Sequence, residues 1–356
     1  RYPLYIGMGD PYRLVEDVRV VRSAGIVDTI PAVSTVNEIV SVGDLPGVSR
    51  YVDTTDYILN AGSDTISWVP GGTSPTMGNS YYITYTETRA SSAFTPTLYF
   101  DGNLVIADHG NRFRTNGSIN DVTVGAVLGL DNNAKGVVVA QLNTSALADP
   151  DNPSSAQLEA AFIAMVLELE KLYGPKYLIV PMSSGVLNTV SAAQIMFNHS
   201  ILASQPERKQ ERSVIQAMAA DTTIAQYATM AQSFANERMC LPAIPSNLQV
   251  IGMGTTTYDD RYYCAALAGR LCAGPIGETI SDEIIVGITF DDNFNPDAQD
   301  YLVQNGVSPA KSSGSVIRNV MAISPDTTNA LTEDMGVLDI KDYVRKTWRE
   351  GLWNLY

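Results

Sequence analysis

The sequence predicts an α/β core, a mixed and mostly parallel sheet flanked by helices, with an inserted antiparallel β domain and an α+β C-terminal region. Three observations predict it. Between residues 154 and 273, Ala- and Leu-rich helical runs alternate with short apolar strand-like runs, the pattern of a parallel sheet covered on both faces. Between 25 and 113, aromatic and β-branched residues alternate with polar ones under Gly and Pro punctuation, as in antiparallel modules. After 283 single strands and helices mix again. The expected divisions are 1–24, a first strand and linker; 25–113, the β domain; 114–282, the α/β core; and 283–356, the C-terminal region, incomplete at its end.

The elements follow in order. "RYPLYIGMGD" is an apolar strand ending in a Gly turn. In the β domain, Ile66 and Trp68, then Tyr81, Ile83 and Tyr85, keep a period of two between Gly62, Gly71, Gly72, Pro75 and Gly78. "TPTLYFDGNLVIADHG" continues it, with Asp101-Gly102 as a hairpin turn. "SSAQLEAAFIAMVLELEKLYG" is a helix with a Ser cap and a Gly stop. "KYLIVP" is a buried strand, "LNTVSAAQIMFNHSILAS" a helix and "ERSVIQAMA" a strand. "DTTIAQYATMAQSFANER" is a helix with Asp221 as its expected cap. "MCLPAIP" and "LQVIG" are strands, and Arg261–Ala273 is the next helix. "EIIVGITF" is a strand, "NPDAQDYLVQNG" a short helix stopped by Gly306, "SGSVIRNVMAIS" a strand, and Asp339–Trp353 the terminal helix.

Composition narrows the function. The chain has 356 residues, with 23 Lys and Arg against 38 Asp and Glu, a net charge of −15. Such an acidic surface repels phosphate backbones, so direct nucleic-acid binding is not expected. No apolar run approaches the ~18 residues of a membrane span, so no membrane insertion is expected. The three cysteines form no disulfide framework. The sequence opens on Arg1 with no initiator Met or signal peptide, as a trimmed core would.

Catalytic chemistry finds little support. His109 and His199 are the only histidines. His109 reads as a hydrogen-bonded turn residue and His199 as a packed or surface helical residue. Ser183 and Ser184 follow a strand, but "VPMSSGVLNT" lacks the spacing of a nucleophile elbow. "IGMGD" and "IGMGTT" lack the third glycine and the lysine of a phosphate loop, and tight turns explain their glycines. Asp259-Asp260 and Asp291-Asp292 lack the spacing of a calcium loop and read as caps or solvated turns. Cys264 and Cys272 lie roughly 80° apart around their helix, with no C-x-x-C and no histidine near. Among Ala265, Ala266, Leu267, Ala268 and Gly269 they read as close-packing residues. No catalytic residue, metal ligand or cofactor is expected.

A family resemblance enters at these residues. "YYCAALAGRLCAGPIGETISDEII" resembles the Ala-rich helix, Pro-containing loop and Thr-centred turn of contractile phage tail sheath proteins. The strand–helix–strand from "KYLIVP" to "ERSVIQAMA" is similar to the family's run into an R-x-V-I strand. "NGVSPAKSSGSVIRNVMAISPDTT" resembles its Gly-Val hairpin, and "VLDIKDYVRKTWREGLW" its terminal helix. "YYITYT" and "FTPTLYFD" resemble the β module inserted into larger sheaths. The family's N-terminal arm and the strands beyond the terminal helix have no counterpart here, which leaves linkage through arms in doubt.

The resemblance implies a structural protein without an active site. It implies stacked hexameric rings around a tail tube, contracting to drive the tube through the host envelope for genome delivery. Partners would be further copies of the chain, the tail tube protein, and baseplate and terminator or neck proteins. The location would be the virion tail, after assembly in the host cytoplasm. The alternatives are an α/β hydrolase with a β accessory domain, another tail or baseplate component, and the sheath of a bacterial injection machine. Within the terminal helix, Lys341, Arg345 and Arg349 recur every fourth residue, with Lys346 beside them. In so acidic a chain this stripe is the candidate contact with the tube, or else a solvated face paired along the helix by Asp342 and Glu350.

Overall fold

The first strand, Tyr2–Gly7, lies inside a six-stranded sheet. Across that sheet the strands run Met239–Cys240, Arg212–Ile215, Tyr177–Met182, Tyr2–Gly7, Val137–Gln141 and Thr97–Tyr99. All neighbours are parallel except the edge strand Thr97–Tyr99, which is antiparallel to Val137–Gln141. The computed structural model describes the chain apart from residues 61, 90–93, 146, 148, 173–175, 183–188, 206, 207, 209, 220, 221, 246, 247, 279, 280, 314, 315, 329–333 and 354–356, and apart from the side chains of 189–192 and 349–353.

The described helices are α1 (Gly102–His109), α2 (Asp121–Asp131), α3 (Ser155–Leu169), α4 (Thr189–Ala203), α5 (Ile224–Phe234), α6 (Arg261–Ala273), α7 (Pro296–Gln304) and α8 (Met335–Trp353). The strand period of two sends alternate side chains to two cores. Leu4, Ile6, Val138, Ala140 and Ile179 meet Leu158 and Phe162 of α3, Phe197 of α4 and Tyr227 of α5. Tyr5, Val137, Val139, Leu178 and Val180 face Val124 and Leu128 of α2 and Leu267 of α6. Both faces are thus covered, as a parallel sheet requires.

Local signals explain where the helices start. Ser154 caps α3 in a capping box with Gln157. At α5 the cap is Thr223, in a second box with Gln226. The expected cap, Asp221, lies outside the described residues. Asn295 caps α7, with Pro296 in its first turn. Asp101-Gly102 is not a hairpin turn: the Asp101 side chain accepts from Asn103 N and caps α1.

The β segment begins and ends earlier than expected. Tyr12–Val21 pairs with Ser80–Thr88, and Val36–Gly43 pairs with the other edge of that strand. Val27–Thr29, Thr65–Trp68 and Tyr57–Asn60 form a second three-stranded sheet. Thr97–Tyr99 belongs to the central sheet, and 102–109 are helical. The β sheets therefore run from Tyr12 to Thr88, in place of 25–113. The two share a core around Trp68, whose indole meets Tyr51, Tyr57 and Tyr81 edge-on. Trp68 Nε1 and the Tyr81 hydroxyl both donate to Asp28 Oδ2, at 2.7 and 2.9 Å.

The boundary expected at 282 does not separate the sheets either. Leu248–Val250 pairs with Ile288–Thr289, and Pro242–Ala243 pairs with Ser308–Pro309. "EIIVGITF" is two strands, because Gly287 at φ 85° turns the chain between Ile284–Ile285 and Ile288–Thr289. These strands join different sheets.

The β segment enters and leaves the core at one point, where Arg89 N donates to Pro11 O at 3.1 Å. Excising 12–88 and joining the ends with a short linker is therefore expected to leave a soluble, cooperatively melting core. An unfolded remainder, seen by circular dichroism, would show that the two parts do not fold separately.

Candidate interface on the terminal helix

Helix α8 is tied down along one face. Met335 and Leu338 are buried, and so are Asp339 and Asp342. The two carboxylates land on buried cations from other parts of the chain. Arg238 grips Asp342 with two parallel hydrogen bonds of 2.7 Å, the bidentate geometry suited to a planar guanidinium. Lys176 lies 2.8 Å from Asp339 and 2.9 Å from Asp342. Arg1 pairs with Asp339, and Arg238 reaches Glu211 at 3.5 Å. A cleft of about 310 Å³ opens beside this cluster, lined in part by Arg1, Lys176, Tyr343 and Lys346.

Burial raises the Asp342 carboxyl, but Lys176 and Arg238 outweigh burial and hold it below its ordinary value. Burial lowers the Lys176 ammonium, which Asp342 only partly offsets. For Arg238 the attraction of Asp342 overcomes burial, and its pKa rises. The cluster is thus a set of buried charges paired with one another at the edge of the cleft.

The candidate tube-contact residues do not share one role. Lys341 is half-buried and bound to Glu237 of the core. Arg345 is exposed and only loosely held, at 3.9 Å from Glu237 and 4.0 Å from Asp342. Lys346 is half-buried at the rim of the cleft. The side chains of Arg349 and Glu350 lie outside the described residues. Asp342 is not a partner along a solvated face; its main contacts cross to Arg238 and Lys176. The outermost face of α8 is apolar: Ile340, Tyr343, Val344 and Trp348 are exposed, Trp348 by 74%. Ile340, Val344 and Trp348 keep a four-residue spacing in the sequence, a signal that the basic stripe overshadows.

The other candidates resolve as structure. His109 is buried, with Nδ1 2.8 Å from Gln141 Oε1 and Nε2 3.0 Å from the Tyr99 hydroxyl. Burial lowers its pKa, which keeps the imidazole neutral between those partners. It is a buried helix-end residue, not a turn residue. Burial also pushes His199 down to about 4. Ser183 and Ser184 lie outside the described residues. Asp259 pairs with Arg261 at 2.6 Å, and Asp260 is buried and accepts from Tyr227. Among the described residues, no group of three or more His, Cys, Asp or Glu is arranged to hold a metal. No described helix is long and apolar enough to cross a membrane.

The glycines of "IGMGD" serve close approach, not a turn. A Cβ on Gly7 would meet Met182 O at 2.2 Å, and one on Gly9 would meet the Gln141 side chain at 2.4 Å. Cys264 and Cys272 are buried and free, and burial raises both thiols, Cys272 to about 11. They pack within α6, which presses on α2 as well as on the sheet. A Cβ on Gly269 would meet Gly129 Cα at 2.6 Å, so the two helices touch backbone to backbone. Tyr5 fills the notch beside them, and its hydroxyl donates to Ala265 O at 2.9 Å.

A family model described only as a domain of unknown function, DUF4815, matches residues 12–107, starting where the β segment starts. No curated protein matches the sequence. Among solved structures, the chain is similar to the sheath tail protein of Desulfitobacterium hafniense, at 9% identity and TM-score 0.49, covering 100% of this chain and 80% of that one. It is similar to a sheath tail protein of Listeria innocua, at 9% identity and TM-score 0.46, covering 97% and 75%. It is also similar to the helical sheath of the anti-feeding prophage in its contracted state, at 7% identity and TM-score 0.53, covering 100% and 70%. All three are described as sheath proteins. On the likeness to the contracted sheath, which runs the full length of the chain, the fold is that of a contractile sheath protein.

Proposed function

We propose that the chain is a structural subunit of a contractile virus tail sheath. It polymerises as stacked hexameric rings around a tail tube, and contraction drives that tube through the host envelope for genome delivery. The observation that carries this reading is the full-length likeness to a helical sheath captured contracted. Such a polymer needs head-to-tail contacts that repeat along a helix, and subunits rigid enough to move as bodies between two packings. A sheet covered on both faces and a terminal helix locked by buried ion pairs give that rigidity. The partners are further copies, the tube, and the baseplate and neck proteins at its ends, and assembly takes place in the host cytoplasm. A second reading is the sheath of an injection machine, since a sheath described as part of an extracellular contractile injection system is also similar in fold. Nucleic acid in purified particles separates the two: the tail reading requires it and the injection reading does not.

In this proposal the tube contact is the basic flank of α8, with Arg345 its most available member and Lys341 engaged by Glu237. Exposed ion pairs contribute only about 0.2–1 kcal/mol each, which suits a contact made many times over and then released. Reversing Arg345 and Arg349 to Glu is expected to impair assembly on the tube, while circular dichroism of the isolated subunit stays unchanged. Tube-bound polymer of normal appearance from that variant would sink the assignment. Electron microscopy of the concentrated wild-type protein with its tube tests the reading as a whole: hollow cylinders are expected, and dispersed single subunits under every condition would count against it.

A further inference from the structure

We infer that α3 of one copy docks on the apolar face of α8 of a neighbouring copy, in a head-to-tail contact that repeats. The inference deepens the polymerisation reading by naming the two surfaces that meet.

Among the described residues, both helices leave apolar side chains exposed. On α3, Leu158, Phe162, Met165 and Leu169 point into the core. Its outward face is Ala156, Ala160, Ile163, Ala164 and Leu167, all exposed, with Ile163 at 50% and Leu167 at 59%. On α8 the exposed apolar residues are Ile340, Tyr343, Val344 and Trp348. Soluble surfaces seldom leave two such faces open without use.

The two faces are complementary in shape. Ala156, Ala160 and Ala164 recur every four residues and leave a shallow groove along α3, bordered by the larger Ile163 and Leu167. Ile340, Val344 and Trp348 recur at the same spacing and stand up as a ridge. A four-residue ridge in a four-residue groove is the commonest helix packing, with a crossing angle of about −50°. Small residues in the groove let the two backbones approach, and the Trp348 ring supplies the kind of anchor that dominates interfaces.

They are complementary in charge as well. Glu159 is exposed beside the α3 groove. Arg345 is exposed on the border between the α8 ridge and the basic flank, with only distant carboxylates to hold it. Two copies of a chain with net charge −15 repel each other over most of their surface. Contact between copies is therefore favoured where one side is uncharged or basic. Because the two surfaces differ, the contact is heterologous and propagates into a ring or a helix instead of closing as a dimer.

Disulfide capture in the full chain tests this, since the three native cysteines are buried. Ala160→Cys and Val344→Cys chains are prepared separately, mixed and oxidised. The expected result is a two-chain product that needs both variants, and a ladder of multiples from the Ala160→Cys/Val344→Cys double variant. Capture of Ala160→Cys with itself would mean a symmetric α3 pair and would overturn the inference. So would the absence of any product, or capture of Val344→Cys by a different protein in intact particles. A ladder from a protein that never forms contracting cylinders would keep this contact and remove the sheath reading. Contracting cylinders without capture between 160 and 344 would do the reverse.

Discussion

Replacing Asp342 with Asn is expected to loosen the terminal helix by about 3–5 kcal/mol, the cost of breaking a buried ion cluster from one side. The substitution keeps the shape and removes the charge that Arg238 and Lys176 share. Lys176 would retain Asp339, and Arg238 would retain the Glu211 carboxylate at 3.5 Å and the Arg212 carbonyl at 3.2 Å. The measurement is hydrogen exchange over the described part of α8, where a loss of this size speeds exchange about a hundredfold or more. The sign of the pH dependence follows from the depressed Asp342 carboxyl. A carboxyl whose folded pKa lies below its unfolded value, about 3.9 for Asp, contributes stability that is fully present above that value. The contribution is lost as pH falls through the lower, folded pKa. The wild-type helix should therefore hold its protection at neutral pH and lose it under acid, and Asp342→Asn should flatten that acid dependence. Unchanged exchange in the variant would mean that apolar contacts alone dock α8.

Gly269→Val is expected to destabilise the contact between α2 and α6. Its Cβ would fall 2.4 Å from Gly129 O and 2.6 Å from Gly129 Cα, and backbone cannot rotate away as a side chain can. Helices α2 and α6 would have to separate, which also disturbs Tyr5 and its bond to Ala265. Overpacking a close-packed core costs about 1–3 kcal/mol and sometimes more, and here a branched side chain meets main chain. Urea unfolding read by circular dichroism should show a clear fall in midpoint. Cys264→Ala, which removes a buried sulfur without a clash, should be milder. Equal midpoints for Gly269→Val and the wild type would contradict the backbone contact.

What was legible in the sequence was local. The Ser154 cap of α3 and the Gly274-Pro275 stop of α6 act within a few residues, so pattern reveals the helices they bound, whereas α5 was read with Asp221 as its cap and is capped by Thr223. The run of small residues in α6 announced close packing, but not that Gly129 would be the surface it meets. Asp101-Gly102 misled because Asp before Gly serves a hairpin turn and a helix cap equally well; only the pairing of Thr97–Tyr99 with the central sheet decides. Tyr12–Val21 was missed as part of the β segment because its irregular pattern follows a bulge between Val15 and Val18, which breaks the period of two. The role of Asp342 was out of reach. Its partner Arg238 lies 104 residues away, whereas its neighbours on the helix suggested a solvated pair.

Polymerisation into a contractile sheath, as proposed above, can be seen directly. The most direct test is cryo-electron microscopy of the native particle at a resolution that traces the main chain. The account predicts this fold in the outer layer of a hollow cylinder, with an inner tube present before contraction and the same subunits, moved as rigid bodies, in a shorter and wider cylinder afterwards. Finding the chain only as an isolated subunit, or in a layer that never changes length, would contradict it.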